Sequence, residues 1–244
     1  MTQKDTLVAR RIYLYLGALF ITSLVVSNLI FQKFFYWNPF GKVTVFGAPL
    51  FEISAGILPY PVTFLITDLI SEIFGRKKAN QIVVAGIFAS FFSLAIVYTA
   101  NAVPATAWSP VQDNLFSSVF GNTIVAVFAS MMAYLLAQFV DIQIYHFWKR
   151  LTKGKYLWLR NNFSTFSSQL IDTFTVVALL CSFGEIPWDK FTGLVISGFI
   201  FKIIIAFLDT PLLYLAVYTM RKRFNLVLGE EIDLDAQTLT SKQV

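Results

Sequence analysis

The sequence predicts an all-α membrane protein with six transmembrane helices, on three observations. Of its 244 residues 57% are hydrophobic and only 14% charged, with a mean hydropathy of +0.67, which leaves too little polar surface to coat a soluble globule. Six apolar segments, near 12–36, 57–74, 80–102, 122–148, 163–182 and 193–219, approach the roughly 20 helical residues that cross a hydrocarbon core about 30 Å thick. Basic residues collect in alternate connections. Lys4, Arg10 and Arg11 precede the first span, Arg76 to Lys78 join the second to the third, Lys149 to Arg160 join the fourth to the fifth, and Arg221 to Arg223 follow the sixth. The opposite connections hold only Lys33, Lys42 and Lys190. The positive-inside rule then puts both termini in the cytoplasm. Three domains of sequence follow: a basic N-terminus over 1–11, a six-helix transmembrane unit over 12–223, and a cytoplasmic tail over 224–244.

The first span is interrupted late by Ser27, Asn28, Gln32 and Lys33. Asn28 and Gln32 are four apart and share a face, either as an interhelical hydrogen-bond pair or as ligand contacts. Its apolar run is too long for a cleaved signal, and no A-x-A-like site follows it. Residues 34–56, rich in aromatic and β-branched residues with Gly41 and Gly47, could form a small hairpin or lid.

The second span opens with Gly56, Pro59 and Pro61, so its start is expected to be irregular. It carries Asp68 and Glu72 at i, i+4 in an otherwise apolar stretch. A carboxylate at membrane depth costs at least a few kcal/mol and is kept where it meets partners, water or a ligand. Either Arg160 or Lys202 could supply the counter-charge; without one, two adjacent carboxylates in a low dielectric would hold a proton between them.

The third span has almost nothing polar and is expected to face lipid or fill space. The fourth carries Gln138, Asp141 and Gln143 near its cytoplasmic end, with His146 beyond as an ordinary interfacial residue. The fifth has the densest polar run. Asn162 or Ser164 could cap it, and Thr165, Gln169 and Asp172 follow at spacings of four and three, a stripe too deep for capping. In the sixth, Lys202 and Asp209 share a face, and Pro211 is expected to open the helix near Asp209. Structural ion pairing, with Arg160 binding Glu72 or Asp141, accounts for part of this set. It does not account for so many acceptors in five helices. The tail from Gly229 is acidic and polar and is expected to be disordered.

Several chemistries are excluded or unsupported. G-x-x-x-x-G-K-[ST], H-E-x-x-H and G-x-S-x-G are all missing from the sequence, so a P-loop ATPase and the commonest zinc and serine hydrolase signatures have no support. Cys181 is the only cysteine and His146 the only histidine, which rules out an internal disulfide and clusters of these ligands. The net charge of +5 is split among four short cytoplasmic segments, which suits anionic headgroups and not nucleic acid. No cofactor or metal is expected.

The run Pro61-Val-Thr-Phe-Leu-Ile-Thr-Asp-Leu-Ile-Ser-Glu-Ile-Phe-Gly75, followed by Arg76-Lys-Lys-Ala79, resembles the hallmark of the queuosine precursor transporter family, also described as the vitamin uptake transporter family. Ser27-Asn28 with Lys33, Gln138-x-x-Asp141, and Trp158-x-Arg160-Asn161-Asn162-x-Ser164-Thr165 with Gln169 and Asp172 fit it too. The likeness spans about residues 10–225. It implies an inner-membrane importer, not an enzyme, for 7-deazaguanines such as preQ0, preQ1 or queuine, salvaged for tRNA modification. It also implies a six-helix fold resembling the substrate-binding component of energy-coupling-factor transporters. The alanine-rich first-helix face with which such components dock is reduced here to Gly17 and Ala18, which favours a solitary transporter. The alternative is a binding subunit of a multi-component ATP-driven uptake system. The partners expected are the deazaguanine base and membrane lipid, and a homodimer is allowed.

A deazaguanine offers N1–H and an exocyclic amine as donors and O6 as an acceptor. A carboxylate can take both donors, an amide or ammonium can donate to O6, and an aromatic ring can stack on the face. The expected binding set is therefore Asp172 and Gln169, with Asn28 and Lys202 as donors and Phe64 as the stacking ring. Asp68, Glu72, Asp141 and Asp209 are expected to gate release or carry protons.

Overall fold

The computed structural model describes residues 3–37, 44–45, 48–49, 52–120, 124–153, 155–184 and 186–234. Seven helices run in the order α1 (Gln3–Ile30), α2 (Tyr60–Ile73), α3 (Gly75–Ala102), α4 (Asp113–Phe120), α5 (Ile124–Leu151), α6 (Leu157–Ser182) and α7 (Phe191–Phe224). Between α1 and α2, β1 (Phe34–Tyr36) pairs antiparallel with β4 (Glu52–Ser54), and β2 (Thr44–Val45) with β3 (Ala48–Pro49). The aromatic connection therefore does contain hairpin pairing; the rest of it lies outside the described residues.

Among the described residues, five segments are long and apolar enough to cross a membrane: α1, residues 55–73, α3, α6, and residues 188–224. Helix α5 matches them in length at 28 residues, although several of its side chains lie outside the described set. Large apolar residues such as Phe88, Phe92, Phe207 and Leu208 are exposed on α3 and α7, as lipid-facing helices require. The third span faces outward as expected, and its small residues pack it: a Cβ on Gly86 would sit 2.7 Å from the Phe20 ring of α1, the close approach that small residues permit between membrane helices.

Helix α2 lies at the centre, with eleven of its 14 residues buried and neighbours in α1, α3, α5 and α7. Its start is irregular, as its prolines predict. A 3-10 turn over Ala55–Ile57 leads into Pro59, and Pro61 sits in the first turn, where a missing N–H costs nothing. At 1.5 Å per residue the helix is only about 21 Å long. Its buried hydroxyls bond back to their own helix: Thr63 Oγ1 donates to the Tyr60 carbonyl at 2.6 Å, and Thr67 Oγ1 to the Thr63 carbonyl at 3.1 Å. Gly75, at φ +82°, reverses the chain into α3 in a conformation open to glycine.

Four boundaries differ from the sequence reading. Residues 3–11 belong to α1, since nothing in that stretch breaks a helix. Helix α6 begins at Leu157, before Asn162 and Ser164, so neither caps it; Asn162 Nδ2 instead donates to the Trp158 carbonyl at 2.7 Å inside the helix. Pro211 lies within a continuous α7, so the helix does not open at Asp209. The start of the acidic tail is packed. Ile232 and Leu234 are buried, Ile232 N donates to the Ile73 carbonyl at 2.7 Å, and Arg10 Nη2 donates to the Leu234 carbonyl at 2.9 Å. Two apolar residues in the polar tail suffice to hold it. Residues 235–244 lie outside the described residues.

Candidate functional site

Helices α6 and α7 pack side by side, which brings Asp172 and Lys202 together although they are 30 residues apart. The Lys202 ammonium donates to Asp172 Oδ2, the Tyr60 hydroxyl donates to Oδ1 at 3.2 Å, and Lys202 Nζ lies 4.8 Å from the Tyr60 ring centre. Asp172 is 2% and Lys202 9% exposed. Neither charge could be kept at that depth alone, and the pair is held by its mutual attraction, the phenol and a cation–π contact. Tyr60 is fixed in turn by edge-on packing against Tyr134 at 5.3 Å and by Phe64 at 5.8 Å. Gln138 Nε2 donates to the Tyr134 hydroxyl.

This triad borders a cavity of about 120 Å³. The wall is apolar, from Val176, Val177, Leu180 and Leu194, and the hairpin contributes Phe34, Glu52 and Ser54. Thr173, beside Asp172, also lines it. Its Oγ1 is buried without a hydrogen-bond partner among the described residues, and a buried hydroxyl left so is explained by a nearby water, a ligand or strain. The hairpin is tied over the cavity. Ser27 Oγ donates to the Gly56 carbonyl, Ser54 Oγ to the Phe31 carbonyl, and Ala55 N to the Lys33 carbonyl at 2.6 Å. Gly56 passes so close to α1 that a Cβ would meet Phe31 and the Ser27 carbonyl at 2.7 Å.

The other expected binding residues divide. Gln169 and Phe64 border a second, smaller cavity of about 20 Å³, behind Tyr60 and Lys202 and shared with Asp209; that is room for about one water. Gln169 Oε1 has no partner among the described residues. Asn28 is not brought to the triad. It borders a separate cavity with Gln32 and Ser90, its Nδ2 has no partner among the described residues, and Gln32 donates instead to the Val119 carbonyl at 2.7 Å.

The carboxylates toward the opposite end of α2 form two groups. Asp141 Oδ1 accepts from Ser168 Oγ at 2.8 Å, and Asp68 and Ser164 reach the same carboxyl group, so α2, α5 and α6 meet there. Glu72, fully buried, accepts from Arg221 of α7 and from the Tyr145 hydroxyl at 3.1 Å, with Lys149 Nζ 3.8 Å away. Lys149 also bonds Glu231 of the tail at 2.7 Å. The expectation that Lys202 neutralises Glu72 is corrected: Lys202 is committed to Asp172, and Glu72 takes Arg221 and Lys149. The expected Arg160 pairing lies outside the described residues, as does the side chain of Thr165.

Tyr60, Thr173, Glu52, Arg221, Lys149 and Glu231 were missed by the sequence reading. Lys149 and Arg221 count toward the positive-inside bias, and that role hid their second one. Tyr60, between two prolines at the mouth of the acidic span, was the readable signal.

Residues 54–216, about two thirds of the chain, match the family described as "Putative vitamin uptake transporter". The chain belongs to that family. It is 30% identical over 211 residues to the "Probable queuosine precursor transporter" of Bacillus subtilis (strain 168), covering 80% of this chain and 90% of that one. A protein of the same name from Haemophilus influenzae (strain ATCC 51907 / DSM 11121 / KW20 / Rd) is 27% identical over 179 residues, 70% of each chain. No solved structure matches. The family is one of transporters, so the chain is a multi-pass membrane transporter and not an enzyme.

Proposed function

We propose that this transporter imports queuosine precursors, 7-deazaguanine bases such as preQ0, preQ1 or queuine, across the cell inner membrane for tRNA modification. The observation that carries the reading is the apolar cavity under the hairpin, bordered by the Asp172–Lys202–Tyr60 triad and the unpartnered Thr173 hydroxyl. Asp172 accepts one bond on each oxygen, and each oxygen has a second lone pair for a donor of the base. Apolar walls with a few convergent polar groups suit a small planar molecule. Helices α1, α2, α3, α5, α6 and α7 are the six spans, in an arrangement resembling the substrate-binding component of energy-coupling-factor transporters. Both termini are cytoplasmic, so the hairpin and its cavity face outward.

Asp68 and Asp141 are the pair suited to carry a proton, because two carboxyl groups in hydrogen-bonding contact share one. Glu72, held by two cations, suits a gate that ties the cytoplasmic ends of α2, α5 and α7 together. Asp209, beside Gln169, borders the small cavity between these regions and the outer one. The base and lipid are the partners, and dimer formation is left open by this reading.

The test is uptake of labelled preQ1 and queuine by this chain alone, in a host unable to make preQ0 and lacking energy-coupling-factor partners, with queuosine in tRNA as readout. Uptake that is lost in Asp172→Asn at wild-type expression supports the reading. Uptake only when separate ATPase and scaffold proteins are supplied would turn the chain into a binding subunit.

A further inference from the structure

The outer cavity carries one carboxylate that the triad leaves unbalanced. Its ionisable lining residues are Glu52, Asp172 and Lys202. Lys202 neutralises Asp172, so the lining keeps one net negative charge, that of Glu52. Strand alternation indicates which way Glu52 faces. In β4, Ile53 packs with Phe201 of α7 and with Phe35 of β1. The opposite face carries Glu52 and Ser54, whose cross-strand partners are Tyr36 and Phe34. Phe34, Glu52 and Ser54 of that face line the cavity, and Ile53 also borders it. Glu52 is half-buried and has no ion pair among the described residues. An uncompensated carboxylate on an apolar-walled cavity attracts a cation and raises its local concentration.

We propose that Glu52 makes the transporter selective for 7-deazaguanines whose 7-substituent carries a protonated amine, over those whose substituent is neutral. The inference rests on the reading that deazaguanines are the substrates. With the base's two donors directed at Asp172, the substituent leaves the five-membered ring on the side away from the exocyclic amine, and Glu52 is the unpaired carboxylate of the same lining that can meet it. A primary or secondary ammonium there meets Glu52. A nitrile offers Glu52 no donor and leaves the carboxylate to be desolvated without return, which disfavours that base.

The experiment uses full-length protein in lipid nanodiscs, with labelled preQ1, whose aminomethyl group is cationic, displaced by unlabelled preQ1 or by the nitrile preQ0. The expected result is about a three- to fivefold preference for preQ1, the upper part of the range of a partly solvent-screened charge pair, narrowing to within about twofold in Glu52→Gln. Equal binding of both bases by the unmodified protein, or tighter binding of preQ0, overturns the proposal while leaving the functional reading intact. A preference that survives Glu52→Gln also overturns it. If Glu52→Gln does not fold, the ratio in the unmodified protein can still overturn the proposal, and Glu52→Ala, expected to bring the ratio within about twofold, replaces Glu52→Gln. Failure of both bases to bind overturns the functional reading itself, and this inference with it.

Discussion

Two buried ion-pair centres occupy opposite ends of the same bundle, and they are built differently. At one, Asp172 and Lys202 border a cavity with the orphaned Thr173 hydroxyl beside them. At the other, Glu72 is enclosed by Arg221, Lys149 and Tyr145, and the tail closes over the group through Glu231 and the Ile232–Ile73 backbone bond. Burial of charge is common to both and so does not identify the binding site. Both also hold an unpartnered buried polar atom, Thr173 Oγ1 at one and Arg221 Nε at the other; what separates them is the adjoining cavity. The closed centre has a structural account; the open one has room beside it for a ligand.

The largest effect expected is at the closed centre. Glu72→Ala takes from Arg221 its buried carboxylate and leaves Lys149 with Glu231 alone, and the loss of one partner of a buried pair costs about 3–5 kcal/mol. Thermal unfolding in detergent should show a large drop, with poor yield. A Glu72→Ala protein that melts like the unmodified one would erase the distinction drawn between the two ends.

Asp172→Asn should separate stability from transport. It weakens the Lys202 pairing, but cavity water can solvate the ammonium, so the stability cost should be below that of Glu72→Ala while uptake falls by at least about tenfold, the loss of about 1.4 kcal/mol of binding. The double change Asp172→Leu with Lys202→Met sharpens this. Replacing both charges by apolar groups of similar size is often neutral or stabilising, so the melting temperature should recover while uptake remains lost. Recovery of uptake would show the pair to be structural.

The tail contact offers a smaller test. A Cβ at Gly75 would overlap Glu231 Oε2, and the residue sits at φ +82°. Gly75→Ala should cost about 1–3 kcal/mol from backbone strain, plus whatever the tail loses by moving aside. In a Glu231→Ala background only the backbone part should remain, so the two changes should be non-additive. Glu231→Gln alone should cost at most about 1 kcal/mol, because its carboxylate is 41% exposed and solvent-screened. Protease sensitivity of the tail, measured beside the melting curve, reports both.

The smallest effect is expected at Asn28. It lies in a cavity apart from the triad, so Asn28→Ala should change uptake by no more than about twofold, whereas Gln169→Ala, next to Lys202 and Phe64, should reduce it clearly. Equal losses from both would join the two cavities into one functional path.

Much of this molecule was legible in its residues, because the relevant physics is local. Apolar run length and alternate basic connections marked the spans. Prolines at 59 and 61 marked the irregular entry to α2, and the i, i+3 spacing of Gln169 and Asp172 marked the polar face of α6. Hydropathy and helical period act over a few turns and need no partner. Cap positions were misread where the helix ran past them, as at Asn162, because nothing nearby forbade its extension. The tail was misread because two apolar residues, Ile232 and Leu234, found a docking groove that composition cannot register.

Pairing was decided by the tertiary structure alone. Lys202 reaches Asp172 over 30 residues and Arg221 reaches Glu72 over 149, and either lysine or arginine is chemically suited to either carboxylate. The choice follows from which helices pack together and at what depth each charge lies. Coulomb attraction specifies the sign of a partner and rewards short distance, and only the packed bundle sets the distances.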